Sequence, residues 1–359
     1  LQTKGTRAHS LDVRIDTDVP LAPLTSLRLG GAARHLTVVS REEEIPEALA
    51  EAERLGVPAV VLGGGSNVVI GDDGVNALVV RMALRGREIS VREGVASVAL
   101  AAGEPWDDAV ALAVSQGWSG VECLGGIPGL VGATPIQNVG AYGQEVSDTI
   151  TGVRAYDREA RAFVDLTPAE CRFGYRASRL KETGRFIVSR VSFAFPVQST
   201  SAPIRYAELS RALEVAEGER APLGRVHETV VALRRAKGMV LDEADPESVS
   251  AGSFFVNPVV DDALLARIVT AAGARPVPRH AAGGGTWKVP AAWLIEQSGF
   301  ARGFTMGHVR VSRKHTLALV NEGGTTHDLL ELARTVARGV RERFGVTLTP
   351  EPVMIGCEI

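Results

Sequence analysis

The sequence is poor in cysteine. Cys123, Cys171 and Cys357 are three in 359 residues, odd in number and far apart, which excludes a disulfide framework and argues against a zinc ribbon. They read as core or idle thiols. An excess of one charge is also missing: 39 Lys and Arg stand against 42 Asp and Glu, for a net charge of -3. There is thus no basic footprint for nucleic acid, and any phosphate must be held locally. No apolar run approaches the roughly 18 residues of a membrane span, and the opening L-Q-T-K-G-T-R-A-H-S has no apolar core of signal-peptide length. No membrane insertion and a cytoplasmic location are expected. Because the chain opens on Leu, those first residues are left out of fold reasoning. Repeats and low-complexity tracts are absent too, which sets aside solenoids and disordered tails.

Several motifs are missing or cut short. No G-x-G-x-x-G follows a strand, and no Walker lysine occurs. His227-Glu228 begins like a zinc-protease motif but has no second histidine, and His308 and His315 are spaced for neither zinc nor a flavin tether. No metal is expected, and these histidines receive no role.

What the chain has instead is glycine, concentrated in two places. Gly125–Gly143 reads G-G-I-P-G-L-V-G-A-T-P-I-Q-N-V-G-A-Y-G, with Ile127, Leu130, Val131, Ile136 and Val139 threaded through it. Linkers are poor in large apolar residues. Here the apolar side chains can anchor the loop while the glycines leave backbone N–H groups bare, which suits a pyrophosphate. A set of tight turns in an irregular core would have the same composition. Upstream, Val57–Leu62 reads as a short buried strand running into Gly63-Gly64-Gly65-Ser66-Asn67, a strand-then-glycine arrangement that serves either a phosphate or a turn between strands.

Around these loops the chain reads α+β, and its length suits two or three domains. Ser40-Arg41-Glu42-Glu43 fits a capping box, followed by a helix with Ile45, Leu49, Ala52 and Leu55 on one face and Gly56 at its end. Strands are expected at 68–70, 77–80, 95–101, 153–156, 186–195, 316–320 and 346–348, and helices at 106–115, 261–272, 291–297 and 326–344. A stripe of Val226, Val230 and Leu233 predicts a further helix, whose last turn carries Arg234, Arg235 and Lys237 to complement its dipole. Trp106 and Trp293 read as core. Boundaries are placed near residue 85 and in the acidic stretch Asp242–Ser250.

Taken together, six motifs in order resemble one family: L-G-G-G-S-N at 62–67, G-I-P-G-L-V-G-A with Q-N-V-G-A-Y-G at 126–143, Y-R-A-S at 175–178, G-S-F-F-V-N-P at 252–258, A-A-W-L-I-E-Q at 291–297 and P-E-P at 350–352. It is the UDP-N-acetylenolpyruvoylglucosamine reductase family of peptidoglycan synthesis, and the likeness runs from about Thr25 to the C-terminus. The resemblance implies three domains: a two-part FAD-binding fold of the vanillyl-alcohol-oxidase type, at 12–85 and 86–240 with 350–359 completing the second part, and a substrate-binding domain at 241–349. It implies FAD held without a covalent bond, with NADPH as hydride donor and UDP-N-acetylglucosamine enolpyruvate as substrate. A monomer is expected.

Carried over residue by residue, the resemblance makes Arg176, Ser253 and Glu351 the catalytic group, with Ser253 the proton donor. FAD contacts are implied at Gly63, Gly64, Gly65, Ser66, Asn67, Gly126, Ile127, Pro128, Gly129, Gly132, Ala133, Gln137, Asn138, Gly140, Ala141, Tyr142 and Gly143. Substrate contacts are implied at Tyr175, Tyr206, Lys237, Asn257 and Gln297. The chemistry is compatible with these types. Hydride addition to an enol ether pushes charge into the adjoining carboxylate, where the planar, permanently charged fork of Arg176 suits it. Glu351 beside that charge must be kept protonated or be placed on Arg176 or a water. Ser253 needs a neighbour for its alkoxide, and Lys237 is a candidate. Two alternatives remain: a flavin oxidase of the same cofactor-binding fold, and a nucleotide-binding module without catalysis, which needs no such trio.

Overall fold

The computed structural model describes residues 13–359, so the opening stretch lies outside the described residues. The first sheet is built from β1 (Asp16–Pro20), β2 (Ala32–Val39), β3 (Ala59–Leu62) and β5 (Val75–Met82), in the order β1-β2-β5-β3. The β2–β5 and β3–β5 pairs are parallel, so the chain must cross over, and α1 (Glu44–Leu55) makes that crossing. The helix ends where glycine allows it, at Gly56 with φ 68°. Its start differs from expectation by one residue: Glu44, not Glu43, reaches back, its Oε2 accepting from the Ser40 and Arg41 amides. Between β3 and β5 lies β4 (Val68–Ile70).

A second, antiparallel sheet follows, made from β6 (Arg87–Arg92), β7 (Val95–Ala101), β10 (Ile150–Asp157), β11 (Ala162–Leu166) and β12 (Phe186–Pro196), in the order β11-β10-β12-β7-β6. Between β7 and β10 come α2 (Trp106–Ser115), the central loop and a small hairpin of β8 (Gly140–Ala141) and β9 (Gln144–Glu145). Short helices α3 (Pro168–Cys171) and α4 (Arg179–Thr183) precede β12, while α5 (Ala207–Leu213) and α6 (Leu223–Ala236) follow it. One core joins the two sheets: Val39, Ile45 and Leu78 pack in the same cluster as Val98, Trp106 and Phe193. The turn near residue 85 therefore passes between sheets without a break in the core.

The last third holds a sheet ordered β13-β19-β18-β17, from β13 (Ser250–Ser253), β17 (Thr305–Met306), β18 (Val309–Val311) and β19 (Ala318–Asn321). Beside it lie β14 (Val259–Asp261), β15 (His280–Gly283) and β16 (Thr286–Lys288), with α7 (Asp262–Ala272), α8 (Ala291–Gln297) and α9 (Thr326–Phe344). The long helix forms where its apolar stripe predicts. Thr325 and Asp328 form its capping box, Leu329, Leu332, Val336 and Val340 are buried, and Gly345 closes it with φ 70°. Residues 346–348 are not a strand. Val346 and Leu348 are buried as core, but no neighbouring strand pairs with them.

The C-terminal strand β20 (Val353–Ile355) pairs in parallel with β4. It was expected to complete the second unit, at 86–240, but it joins the first. Its partner Val69 packs in the core of the last third with Leu27, Leu29 and Phe254. This return of the chain carries Glu351 to the two glycine loops.

Candidate active site

Both glycine loops wall one cavity of ≈ 350 Å³, within the range of small-molecule sites. Gly63, Gly64, Gly65, Ser66 and Asn67 line one part of it, and Ile127, Pro128, Gly129, Leu130, Ala133, Gln137 and Gly140 another. The loops touch. A Cβ on Gly64 would lie 3.0 Å from the Gly129 Cα, Ser66 Oγ donates to the Pro128 carbonyl at 3.1 Å, and Asn67 Nδ2 donates to Gln137 Oε1 at 2.8 Å. Trp106, which the sequence assigns to the core, is 1% exposed and also lines the cavity.

Arg176, Ser253 and Glu351 come from three distant parts of the chain and line this same cavity. Arg176 sits in a tight turn in which the Gly174 and Ala177 amides donate to each other's carbonyls. That turn forces Arg176 to φ 54°, a left-handed conformation costly for a residue with a Cβ. The strain aims the guanidinium. Nη1 donates to the Asn138 carbonyl at 3.3 Å, Nη2 to the Gly140 carbonyl at 2.5 Å, and Nε lies 3.4 Å from Glu351 Oε1. Glu351 is fixed through its own backbone: its amide donates to the Phe254 carbonyl and its carbonyl accepts from Asn67 Nδ2. Burial pushes the Glu351 carboxyl above its usual range, against the pull of Arg176 and then Lys181. Of the alternatives open to a glutamate here, the structure shows both a place beside Arg176 and a burial that opposes ionisation. Ser253 ends β13 just past Gly252, whose φ of 70° accompanies an irregularity in the pairing with β19.

The remaining residues named from the sequence divide. Gly126, Gly132, Asn138, Ala141, Tyr142 and Gly143 do not line the cavity. Gly132 is a packing glycine, since a Cβ there would meet the Ala102 Cβ at 2.5 Å. Asn138, 1% exposed, braces the turn that holds Arg176: its Nδ2 donates to Glu145 Oε2 and to the Gly174 carbonyl. Tyr142 instead joins a second cluster, packing edge-on to Tyr206 at 5.2 Å with Lys237 Nζ 5.3 Å from its ring centre. Tyr206, read as either a substrate contact or a core aromatic, is 44% exposed at the start of α5. Lys237 donates to Glu208 Oε2 at 2.6 Å and is not among the residues lining the cavity that Ser253 lines. Tyr175 carries Lys288 Nζ 3.6 Å from its ring centre, and Asn257 Oδ1 accepts from the first amide of α8. Gln297 goes elsewhere: its side chain accepts from Arg275 and its carbonyl from Arg343.

Lys181, Arg234, Lys288 and His315 received no site role from the sequence. Arg234 looked like a dipole partner in a cationic last turn. His315 stood alone until the fold set it beside Lys237 and Glu208. Burial, then Lys237 and Arg302, lower its pKa to about 4 from 6.5. With the folded value depressed, the unfolded chain takes up a proton first as pH falls. The stability from keeping His315 neutral is full above its unfolded pKa and is lost as pH falls toward the folded one. Urea unfolding is therefore expected to show His315→Gln losing about 1 to 3 kcal/mol less than the parent protein between pH 7 and pH 4. Parallel losses in the two proteins would contradict this.

Known proteins can be compared with this geometry. A family model described as "UDP-N-acetylenolpyruvoylglucosamine reductase, C-terminal domain" matches residues 245–355, and one described as "FAD binding domain" matches residues 33–163. The UDP-N-acetylenolpyruvoylglucosamine reductase of Streptomyces avermitilis is 51% identical over 350 residues, covering 95% of each chain. The chain belongs to the UDP-N-acetylenolpyruvoylglucosamine reductase family. The Streptomyces coelicolor reductase is 52% identical over 347 residues, covering 94% of this chain and 90% of its own. The crystal structure of the Thermus caldophilus reductase superposes with a TM-score of 0.65 at 26% identity, covering 96% of this chain and 98% of its own.

The family's flavin can be tested against the cavity itself. Gly63, Gly64 and Gly65 line the cavity with bare backbone, and a Cβ on Gly63 would meet only Leu130 Cδ1, at 3.9 Å, so backbone of this kind admits a pyrophosphate. The side chains reaching the cavity include three cations, Arg176, Lys181 and Arg234, against the single carboxylate of Glu351. Two glycines separate cofactor from catalyst. Gly129 has φ 126° and a Cβ there would lie 3.1 Å from Ser66 Oγ, whereas a Cβ on Gly140 would lie 3.1 Å from Arg176 Nη1 and 2.8 Å from the Gln144 carbonyl. Gly129→Ala is expected to purify with reduced FAD, and Gly140→Ala to keep its FAD but lose about tenfold to a hundredfold in turnover. Flavin absorbance per protein and kcat measure both, and equal FAD loss in the two variants would contradict the assignment.

Proposed function

We propose that this chain reduces UDP-N-acetylglucosamine enolpyruvate to UDP-N-acetylmuramate with NADPH, for peptidoglycan precursor synthesis. The observation that carries the reading is the convergence of Arg176, Ser253 and Glu351 on the cavity walled by both glycine loops. FAD, when bound, supplies the relay of hydride from NADPH to the terminal carbon of the enolpyruvyl group. The chain's residues do the rest. Gly63–Asn67, with Ile127, Pro128, Gly129, Leu130, Ala133 and Gln137, hold the cofactor. Arg176 binds the enolpyruvyl carboxylate and stabilises the charge that hydride addition pushes into it. Ser253 Oγ gives its proton to the carbon beside that carboxylate. Glu351 is held at Arg176, and burial opposes the ionisation that would add a like charge there.

Tyr175, Tyr206, Lys237 and Asn257 are proposed to hold the nucleotide part of the substrate, with Lys288 and His315 beside them. Residues 13–85 and 86–240 bind FAD, with the C-terminal strand completing the first of these units. Residues 241–349 present Ser253. The chain acts as a monomer in the cytoplasm. Among the described residues, no helix is long and apolar enough to cross a membrane.

The test is product analysis. With oxygen excluded, NADPH should be consumed one for one with the UDP-sugar, and the product should be heavier by two hydrogens. Consumption of NADPH without that mass change would overturn the reading.

A further inference from the structure

A second cavity, of ≈ 250 Å³, lies between α1, the start of β3 and the turn that joins β10 to β11. Among the described residues it shares none with the active-site cavity, although Ala59 of β3 lines this one and Val60 the other. Its walls are largely apolar, with Pro46 and Leu49 from α1, Val57 and Pro58 ahead of β3, and Tyr156 from β10. Three charged residues complete it: Glu53, Arg158 and Arg161.

Two of those charges answer each other, Arg161 Nη2 lying 2.7 Å from Glu53 Oε1. Arg158 has no such partner. The carboxylates beside it in the chain, Asp157 and Glu159, both pair with Arg185. Among the described residues the Arg158 guanidinium bonds one group, the Ala59 carbonyl, which accepts from Nη1 and Nη2 at 3.3 Å each. That carbonyl is open because β3 ends its sheet: the Pro58 carbonyl accepts from the Leu78 amide of β5, so the next carbonyl points away from β5. Capping it leaves an N–H free on each terminal nitrogen, and Nε is buried without an acceptor. Burial, with no charge set against it, lowers the Arg158 pKa. A neutral amide would cap one carbonyl without the cost of a partly buried, unpaired cation.

The walls choose the anion that would meet this cation. Inorganic phosphate would leave the apolar surface uncovered, whereas a carboxylate on a compact apolar body satisfies both. The volume falls below that of drug-sized sites, which limits the body to about one ring or a short chain. We propose that this cavity is a binding site for small amphipathic monocarboxylates, with the carboxylate on Arg158 and the apolar body against Leu49, Val57 and Tyr156. It is separate from the chemistry of the first cavity and does not rest on it.

The probe is para-fluorobenzoate, followed by fluorine NMR on the purified flavin-containing protein with the UDP-sugar in excess to occupy the first cavity. A dissociation constant on the order of 1 mM or tighter is expected. Arg158→Met should weaken binding at least about tenfold, the loss of a charge-assisted hydrogen bond. Ala50→Trp should weaken it as much with Arg158 intact, because Ala50 is exposed on α1 and lines the cavity, so the larger side chain fills the space without entering the core. This second variant decides the matter if the first folds poorly. Absence of binding to the parent protein would overturn the proposal, and so would equal binding in the parent and both variants. Displacement of the probe by an equal concentration of inorganic phosphate would overturn the assigned ligand class.

Discussion

Replacing Ser253 by alanine is expected to leave flavin bleaching by NADPH close to the parent rate while slowing reduction of the UDP-sugar by about a hundredfold to ten-thousandfold. The two half-reactions share one cavity but not one set of groups. Ser253 sits on β13 in the last third of the chain, and in the proposed scheme it acts only when the enolpyruvyl carbon needs its proton. Water would have to replace it in a site partly closed by Met239, Val240, Leu241 and Ala251. Cysteine, a stronger acid of similar shape, should recover part of the rate. Stopped-flow traces of both half-reactions decide the matter. Equal slowing of both would mean a binding or folding role, and an unchanged second half-reaction would mean that another group gives the proton.

Arg176→Met should cost about a hundredfold to a thousandfold in kcat, because a fixed cation aimed at developing charge acts only in the transition state. The loss should exceed that of any substrate contact outside the cavity. Lysine should not restore the rate. The site uses a planar fork that donates to the Asn138 and Gly140 carbonyls while facing Glu351, and an ammonium cannot span those three positions. FAD content should be unaffected, since the contacts of Arg176 are to the β8 turn and to Glu351. A kcat within tenfold of the parent value would contradict the role.

Much of this was legible in the sequence because it is local. The helices at Trp106–Ser115, Ala291–Gln297 and Thr326–Phe344 and the strand at Val95–Ala101 fall where their apolar periodicity places them. The glycine loops announced themselves by composition. Less legible were features set by distant partners. The pairing of β20 with β4 joins residues 353–355 to 68–70, and no local pattern states which strand a C-terminal segment will find. Residues 346–348 have the apolar alternation of a strand, but a strand needs a neighbour, and packing alone buries Val346 and Leu348.

The site shows the same division. Arg176 was findable from its motif, but its left-handed backbone and the bracing by Asn138 depend on the fold. Gln297 and Lys237 were assigned from the family resemblance, and in the structure the first bonds Arg275 and the second Glu208. Arg234 carried a sufficient local explanation, the helix dipole, which concealed that it lines the cavity.

The most direct test of the central claim is an anaerobic titration of the purified yellow protein followed by its visible spectrum. One equivalent of NADPH should bleach the flavin, and one equivalent of UDP-N-acetylglucosamine enolpyruvate should then restore the colour with formation of UDP-N-acetylmuramate. A flavin that NADPH leaves yellow, or one whose colour returns only when oxygen is admitted, would contradict the account.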